Sequence, residues 1–189
     1  MNRKTQLILT SCMFALIGVT LLACGSGRKK DGGDEQAKKD GQEDKGKKGA
    51  AAKIGDDVSF KDSKWVVLDA QDKGNSLKSH NSFQKDATTS GKFILVHFKV
   101  TNLSNKEERI INTPKLIDSQ GREFKDFDKQ TFYIPKGTEA MGLKALPASI
   151  EKEFYAVYEV PADATGLRFQ ARDLKSTFSP DYKLVDLGF

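Results

Sequence analysis

The sequence is poor in the residues from which disulfides, metal sites and nucleophilic active sites are built. It contains two cysteines, Cys12 and Cys24, and two histidines among 189 residues. Because no cysteine follows residue 24, the remainder of the chain has no pair that could form a disulfide. His80 and His97 share no ligand spacing and have no thiolate to help them, so we expect no zinc site and no cofactor.

Catalytic motifs are absent as well. The sequence has no nucleophile elbow, no phosphate-binding loop and no dinucleotide fingerprint. Glutamates cluster only on one predicted strand, where three of them share a face that we expect to be solvated: Glu151, Glu153 and Glu159. The sequence therefore predicts a protein that is not an enzyme.

Excess charge is missing where a nucleic-acid-binding protein would carry it. The net charge of the chain is +5, but residues 25–53 hold nine basic and six acidic groups, whereas residues 54–189 hold 20 of each. A neutral domain offers no basic surface on which to neutralise phosphates. We therefore expect no nucleic-acid partner.

One long uncharged run is present, at the N-terminus. It covers residues 7–23 (LILTSCMFALIGVTLLA), follows Arg3 and Lys4, and precedes Cys24. A basic start, an apolar run and a small residue in this order are typical of a secretory signal peptide. The run is also shorter than the ~20 residues of a typical membrane-spanning helix. We predict that residues 1–23 are a signal peptide.

The end of this run, Leu21-Leu22-Ala23-Cys24, resembles the lipobox of bacterial lipoproteins, although Leu22 is bulkier than the residue usual there. The resemblance implies transfer of diacylglycerol to the Cys24 sulfur, cleavage between Ala23 and Cys24, and a membrane-anchored, extracytoplasmic protein. Gly25 would be the second residue of the mature chain, and this implies that a host with two membranes would sort the lipoprotein to the outer one. An ordinary secreted protein, or a short signal anchor with an incidental cysteine, is the alternative.

Residues 24–53 form the next segment. After Cys24 the segment has no aromatic residue and no aliphatic residue larger than alanine, and Gly, Lys, Asp, Glu and Gln dominate it. Such a composition cannot bury enough apolar area to offset chain entropy, so it predicts a disordered linker. A flexible chain of this length reaches about 30 Å on average, which suits a solvated spacer between the lipid and a domain at 54–189.

The pattern after Ile54 predicts strands. Residues 93–101 (FILVHFKVT) alternate with period two, residues 115–124 read as a hairpin, and residues 150–160 form another long strand that Pro161 ends. Short strands with frequent turns predict an all-β fold, an immunoglobulin-like β-sandwich of about seven to nine antiparallel strands. A closed barrel is the alternative.

Three motifs carry a family resemblance: residues 91–110 (GKFILVHFKVTNLSNKEERI), 114–124 (PKLIDSQGREF) and 151–173 (EKEFYAVYEVPADATGLRFQARD). Together they resemble the bacterial domain-of-unknown-function family 4352, over about residues 54–175. The resemblance implies an immunoglobulin-like sandwich related to secreted antigen domains, commonly placed behind a lipoprotein signal and a polar linker. The stretch 127–142 departs from the family pattern, and its pairing stays unassigned.

Aspartates at two places suggest calcium ligands. Asp118 lies near Gly121, and Asp126 lies near Asp128, but neither pair matches the spaced oxygen ligands of an EF-hand loop. Asp118 is better explained as a side chain that caps the hairpin turn. We therefore expect no metal.

The stretch 127–135 contains four large apolar side chains in a segment with loop character: Phe127, Phe132, Tyr133 and Ile134. Exposed together, they would form a recognition patch. The interpretation that we favour is that Phe132 and Ile134 fill the sandwich core.

The anchor, the spacer and the lack of catalytic groups together predict a non-catalytic binding module that meets an envelope protein or a surface ligand. A small envelope hydrolase, or a structural surface antigen without a specific ligand, is the alternative.

Overall fold

The computed structural model describes residues 51–111, 113–142, 144–174 and 181–189. The signal peptide 1–23, the cleavage pair Ala23 and Cys24, and most of the linker lie outside the described residues, so these assignments stay predictions. Ala52 and Lys53, which we assigned to the linker, form a strand that pairs with Val185 and Asp186. The folded domain therefore begins at or before Ala52, ahead of the predicted boundary at Ile54.

The regular secondary structure of the described residues is nearly all strand, as predicted, with one short 3-10 helix at Gln130–Phe132 and no α-helix among them. The strands are β1 (Ala52–Lys53), β2 (Val58–Ser59), β3 (Ser63–Asp72), β4 (Ser76–Leu77), β5 (Ala87–Thr88), β6 (Lys92–Asn102), β7 (Glu108–Arg109), β8 (Lys115–Ile117), β9 (Glu123–Phe124), β10 (Ala145–Leu146), β11 (Glu151–Val160), β12 (Arg168–Arg172) and β13 (Tyr182–Asp186).

Two larger sheets make a β-sandwich, which confirms the predicted fold class. One sheet has the order β1-β13-β12-β8-β9 and the other the order β11-β6-β3-β2, while β10 pairs with β7 and β4 with β5. The pairs are antiparallel except β1 with β13, which is parallel. The strand count exceeds the predicted seven to nine because several connections contribute two-residue strands.

The inter-sheet core is built on alternation in the two central strands. Along β6, Ile94, Val96, Phe98 and Val100 are all fully buried and point towards the other sheet. Trp65 of β3 stacks on Phe98, with ring centroids 5.8 Å apart. Aromatic pairs of this kind add to the stabilisation from burial, so the core can dispense with a disulfide.

The opposite face of β6 is also partly apolar. Phe93 and Leu95 lie there with Val157 of β11, and all three are buried in a second apolar cluster. The cover comes from residues 126–141, which we call the covering segment. The sandwich therefore has a third, partial layer on the outer face of its four-stranded sheet.

The covering segment pairs with the free edge of β11, which assigns the stretch that the sequence left open. Asp126 bridges Tyr158 and Ala140 bridges Tyr155. The Phe127 N–H donates to the Val157 carbonyl (2.7 Å), and the Met141 N–H donates to the Tyr155 carbonyl (2.9 Å). Because an exposed edge strand invites pairing with other chains, this arrangement also protects β11.

The Gln130 side chain fastens the covering segment to the sheet. Its Nε2 donates to Asp126 Oδ2 (2.7 Å) and to the Met141 carbonyl (3.0 Å), and its Oε1 accepts from the Val157 N–H (3.0 Å). Gln130 is 5% exposed. A buried amide with all its partners in place fixes one arrangement of the layers.

Asp118 caps the β8–β9 turn, as predicted. Its Oδ1 accepts from the N–H groups of Gln120 and Arg122 (both 2.9 Å), and its Oδ2 accepts from Arg122 Nε (2.6 Å). Burial alone would raise the pKa of this carboxyl, but the hydrogen bonds from Arg122 and Gln120 outweigh it and hold the pKa below its usual value. The carboxylate is thus structural.

Candidate functional site

The outer face of the four-stranded sheet is divided into a covered, apolar half and an open, polar half. In the open half, Asp69 of β3 lies opposite His97 of β6, and His97 lies opposite Tyr155 of β11. Residues directly opposite each other in an antiparallel pair share a face of the sheet. The three side chains therefore form a row across the sheet.

A β-bulge in β3 creates this row. The register shifts between Val67 and Asp69, so that Val67 faces the core with Phe98 whereas Asp69 and Gln71 face outward. Without the extra residue, strict alternation from Val67 would point both polar side chains into the core. Bulges re-aim side chains in this way and are common beside functional sites.

A shallow cleft lies on this row. It has a volume of about 150 Å³, and seven residues line it: Asp69, Gln71, Lys73, Leu95, His97, Pro135 and Tyr155. Pro135 belongs to the covering segment, so the edge of the third layer forms one side of the cleft. The cleft thus lies where the apolar cover ends and the polar part of the sheet begins.

The aromatic part of the cleft is a stacked pair. The His97 and Tyr155 rings are 4.2 Å apart at their centroids and 3° from parallel. His97 Nε2 lies 3.0 Å from Glu153 Oε2, an arrangement in which an Nε2–H donates to the carboxylate. Stacking and this hydrogen bond together hold the imidazole in one orientation, with 21% of its side chain exposed.

The polar part of the cleft is a hydrogen-bonded chain of side chains from β3 and from Lys73, which directly follows it. Gln71 Nε2 donates to Asp69 Oδ2 (2.6 Å), and Lys73 Nζ donates to Gln71 Oε1 (3.4 Å). Asp69 and Gln71 are both exposed, so their remaining lone pairs and N–H groups are open to solvent. The cleft therefore offers donors and acceptors side by side.

The cleft lacks the usual side-chain nucleophiles. Its lining has no serine, threonine or cysteine, and therefore no nucleophile of the kind that His97 could activate. Within the described part of the chain, no group of three His, Cys, Asp or Glu side chains is placed to hold a metal ion. The donors and acceptors that line the cleft are groups that can hydrogen-bond to a polar ligand.

The four candidate recognition residues occupy a different place from either expectation. Tyr133 and Ile134 are buried, at 8% and 4% exposure, and Phe127 and Phe132 are partly buried. They pack against Phe93 on the outer face of the four-stranded sheet and do not lie between the two sheets. They are therefore not available to a partner as four exposed side chains.

The cleft residues were not identified from the sequence, although a signal exists. Trp65-Val66-Val67-Leu68 is followed by Asp69-Ala70-Gln71, so continued alternation would place two polar side chains on the core face. A bulge resolves that conflict.

Cys24 and Ala23, the predicted lipidation and cleavage residues, lie outside the described residues. No helix in the described ranges has the length and apolar character to cross a membrane.

The architecture defines the class: a β-sandwich with a third, partial layer and a polar cleft on its outer face. No protein-family model and no curated protein matches the sequence, so the resemblance to family 4352 rests on the motifs alone.

Solved structures share the fold. The chain is similar to the yjhA protein from Bacillus subtilis (TM-score 0.53, 14% identity, 71% of this chain and 98% of that chain). It is also similar to a conserved hypothetical protein from Bacillus anthracis (TM-score 0.52, 12% identity, 70% and 94%). A third is a functionally unknown protein from Listeria monocytogenes (TM-score 0.51, 12% identity, 72% and 83%). At such identities the similarity shows the fold alone.

Proposed function

We propose that the protein is a lipid-anchored, extracytoplasmic binding module without catalytic activity, and that the open half of its outer sheet face meets an envelope protein or a surface ligand. The observation that carries the proposal is the cleft: polar side chains are hydrogen-bonded to one another around an opening whose lining has no serine, threonine or cysteine. The predicted lipid at Cys24 and the spacer behind it would hold this face outside the membrane.

The groups around the cleft favour a polar ligand with both donors and acceptors. Asp69 offers a carboxylate, Gln71 an amide and Lys73 an ammonium group, while Tyr155 adds an aromatic surface beside Pro135. Small, concave sites commonly combine a few placed polar groups with apolar or aromatic surface in this way. Because these side chains already contact one another, little ordering would accompany binding.

The anchor is tested by mass spectrometry and fractionation in the native host. We expect the mature chain to begin at Cys24 with acyl chains attached, and Cys24→Ser to release the protein from the membrane fraction. Adding acyl chains contributes ~0.8 kcal/mol per buried methylene, so two or three chains make release negligible. An intact leader, or a processed chain without fatty acid, would refute the anchoring.

The cleft is tested with a photo-crosslinking amino acid placed at Gln71 in the full chain, in living cells. A matched variant carries the same group at Glu107, which is exposed in the connection between β6 and β7. We expect a discrete crosslinked product from position 71 that Asp69→Ala weakens and that position 107 does not give. Equal products at both positions, or none at either, would indicate a structural surface protein without a specific ligand.

Catalysis is tested separately. The purified protein is incubated with ester, glycoside and peptide substrates, and we expect no turnover above that of a His97→Ala variant. Turnover by the wild type that the variant loses would replace binding by hydrolysis as the function of the cleft.

A further inference from the structure

The Phe83 side chain is exposed at the tip of a loop. The loop, residues 78–86, connects β4 with β5, and the Phe83 side chain is 98% exposed. The other exposed large hydrophobic residues in the described part of the chain range from 36% to 52%. Single exposed apolar residues are common on protein surfaces, but nearly complete exposure of a phenylalanine calls for a structural reason.

Hydrogen bonds inside the loop supply that reason. Asn81 Oδ1 accepts from the Phe83 N–H (2.9 Å), and the Asn81 carbonyl accepts from the Gln84 N–H (3.0 Å). At the base of the loop, Asp86 Oδ1 accepts from the Ser79 N–H (3.0 Å). The resulting turn is formed by polar groups and leaves the aromatic ring at its tip.

The loop is also fixed to the covering segment. The His80 N–H donates to the Phe132 carbonyl (3.0 Å). Tyr133 Oη donates to the Lys85 carbonyl (2.8 Å) and accepts from Gln84 Nε2 (3.2 Å). Since the loop is already ordered, insertion of its tip into another phase would lose little conformational entropy.

The surroundings of the ring favour a lipid surface over a protein partner. Lys78 and Lys85 flank the tip and are exposed, while the Asp86 carboxylate is engaged with Ser79. No second large apolar side chain occurs in residues 78–86. A stable protein interface buries about 800 Å² per partner around an apolar centre, whereas an interfacial membrane contact needs only an aromatic ring with basic groups near the headgroups.

We propose that the Phe83 loop is a second, reversible membrane contact, in which the ring enters the interfacial region of an anionic bilayer and Lys78 and Lys85 stay among the headgroups. This rests on the anchoring in the proposed function, because a weak contact is occupied only if a tether of about 30 Å keeps the domain at the membrane. Since the loop rests on the covering segment, its insertion brings the outer sheet face towards the lipid.

The test uses the chain from Cys24 onward, coupled through that cysteine to a maleimide lipid in vesicles. Cys24 is the sole thiol of this chain, so the coupling reproduces the anchor without the host enzymes. Phe83→Trp provides a fluorescent reporter, and the spectrum of Trp65, which is 2% exposed, is subtracted. Leu103→Trp, at a residue that is 50% exposed, is the matched control.

In vesicles of phosphatidylglycerol and phosphatidylcholine, we expect the reporter at position 83 to shift to the blue and to be quenched by brominated lipid. The control at position 103 shows neither effect. Replacing either lysine alone by serine lowers the equilibrium constant for insertion, obtained from the quenching, by about fivefold. Unchanged emission at position 83, or equal quenching at both positions, would overturn the proposal. A missing lipid on Cys24 in the host would refute the anchoring but would leave this result unaffected.

Discussion

Replacing Gln130 by alanine should release the covering segment from the sheet. The substitution removes three hydrogen bonds at once and leaves the Val157 N–H and the Met141 carbonyl without their partner. Val157 is 0% and Met141 3% exposed, so water does not readily replace the amide. The Asp126 carboxylate keeps its hydrogen bond from Thr113 Oγ1 (2.9 Å) and adds little to the loss.

The magnitude follows from the two orphaned groups. A buried donor or acceptor without a partner costs about 1–3 kcal/mol, so two of them cost about 2–6 kcal/mol. Because the segment lies on the outer face of the sheet, most of this loss should appear as local opening. A loss of 2 kcal/mol corresponds to about a thirtyfold fall in protection against amide exchange.

Two measurements separate local from global effects. Hydrogen exchange at the Phe127 and Met141 amides reports on the covering segment, and urea unfolding followed by Trp65 fluorescence reports on the inter-sheet core. Gln130→Ala should lower protection at both amides at least about thirtyfold, and the unfolding free energy by less. Thr131→Ala, at an exposed neighbour, should change neither. Unchanged protection in Gln130→Ala would show that this amide does not hold the layer.

Three further predictions concern turns and close contacts, each measured by urea unfolding. In Gly91→Ala the new Cβ overlaps the Val160 carbonyl oxygen, so we expect the unfolding free energy to fall by about 2 kcal/mol or more. In the control Gly142→Ala no atom lies within 4 Å of the added Cβ, so the unfolding free energy should hardly change. Asn102 is buried and its Nδ2 donates to three carbonyls, so Asn102→Asp should cost about 3 kcal/mol. Burial raises the pKa of that new carboxyl, and the variant should therefore regain stability as the pH falls. In the wild type, the pKa of Asp118 is lowered, so the ionised carboxylate stabilises the fold above the usual pKa of 3.8, and this stabilisation is lost as the pH falls below that value. Asp118→Asn should therefore make the unfolding free energy less dependent on pH in the acid range.

Two of the three long strands, β6 and β11, could be predicted because most residues on the core face of each, at every second position, are apolar. Residues 93–101 place Ile94, Val96 and Phe98 on one face, and the structure buries all three between the sheets. The hairpin cap by Asp118 was predictable for the same kind of reason, since it depends only on residues two to four positions away. Local patterns determine such features.

The third layer could not be predicted because it depends on contacts distant in sequence. Phe93 and Leu95 lie on the face of β6 opposite the core residues, and there they are buried with Tyr133 and Ile134. Gln130 reaches Val157 across 27 positions. The cleft was not predicted for a related reason. Asp69 faces outward because of the bulge in β3, and that bulge is seen only in the pairing of β3 with β6.

The covering segment supports both proposed sites. Pro135 lines the cleft, while the Phe132 carbonyl and the Tyr133 hydroxyl hold the loop that carries Phe83. One side of the cleft and the position of the loop therefore depend on how firmly Gln130 fastens the covering segment to the sheet. Loosening that amide should therefore weaken crosslinking from the cleft and lipid quenching at the loop together, although the two sites share no residue. Coupling of this kind requires only that both sites rest on one element with a docked and an open state.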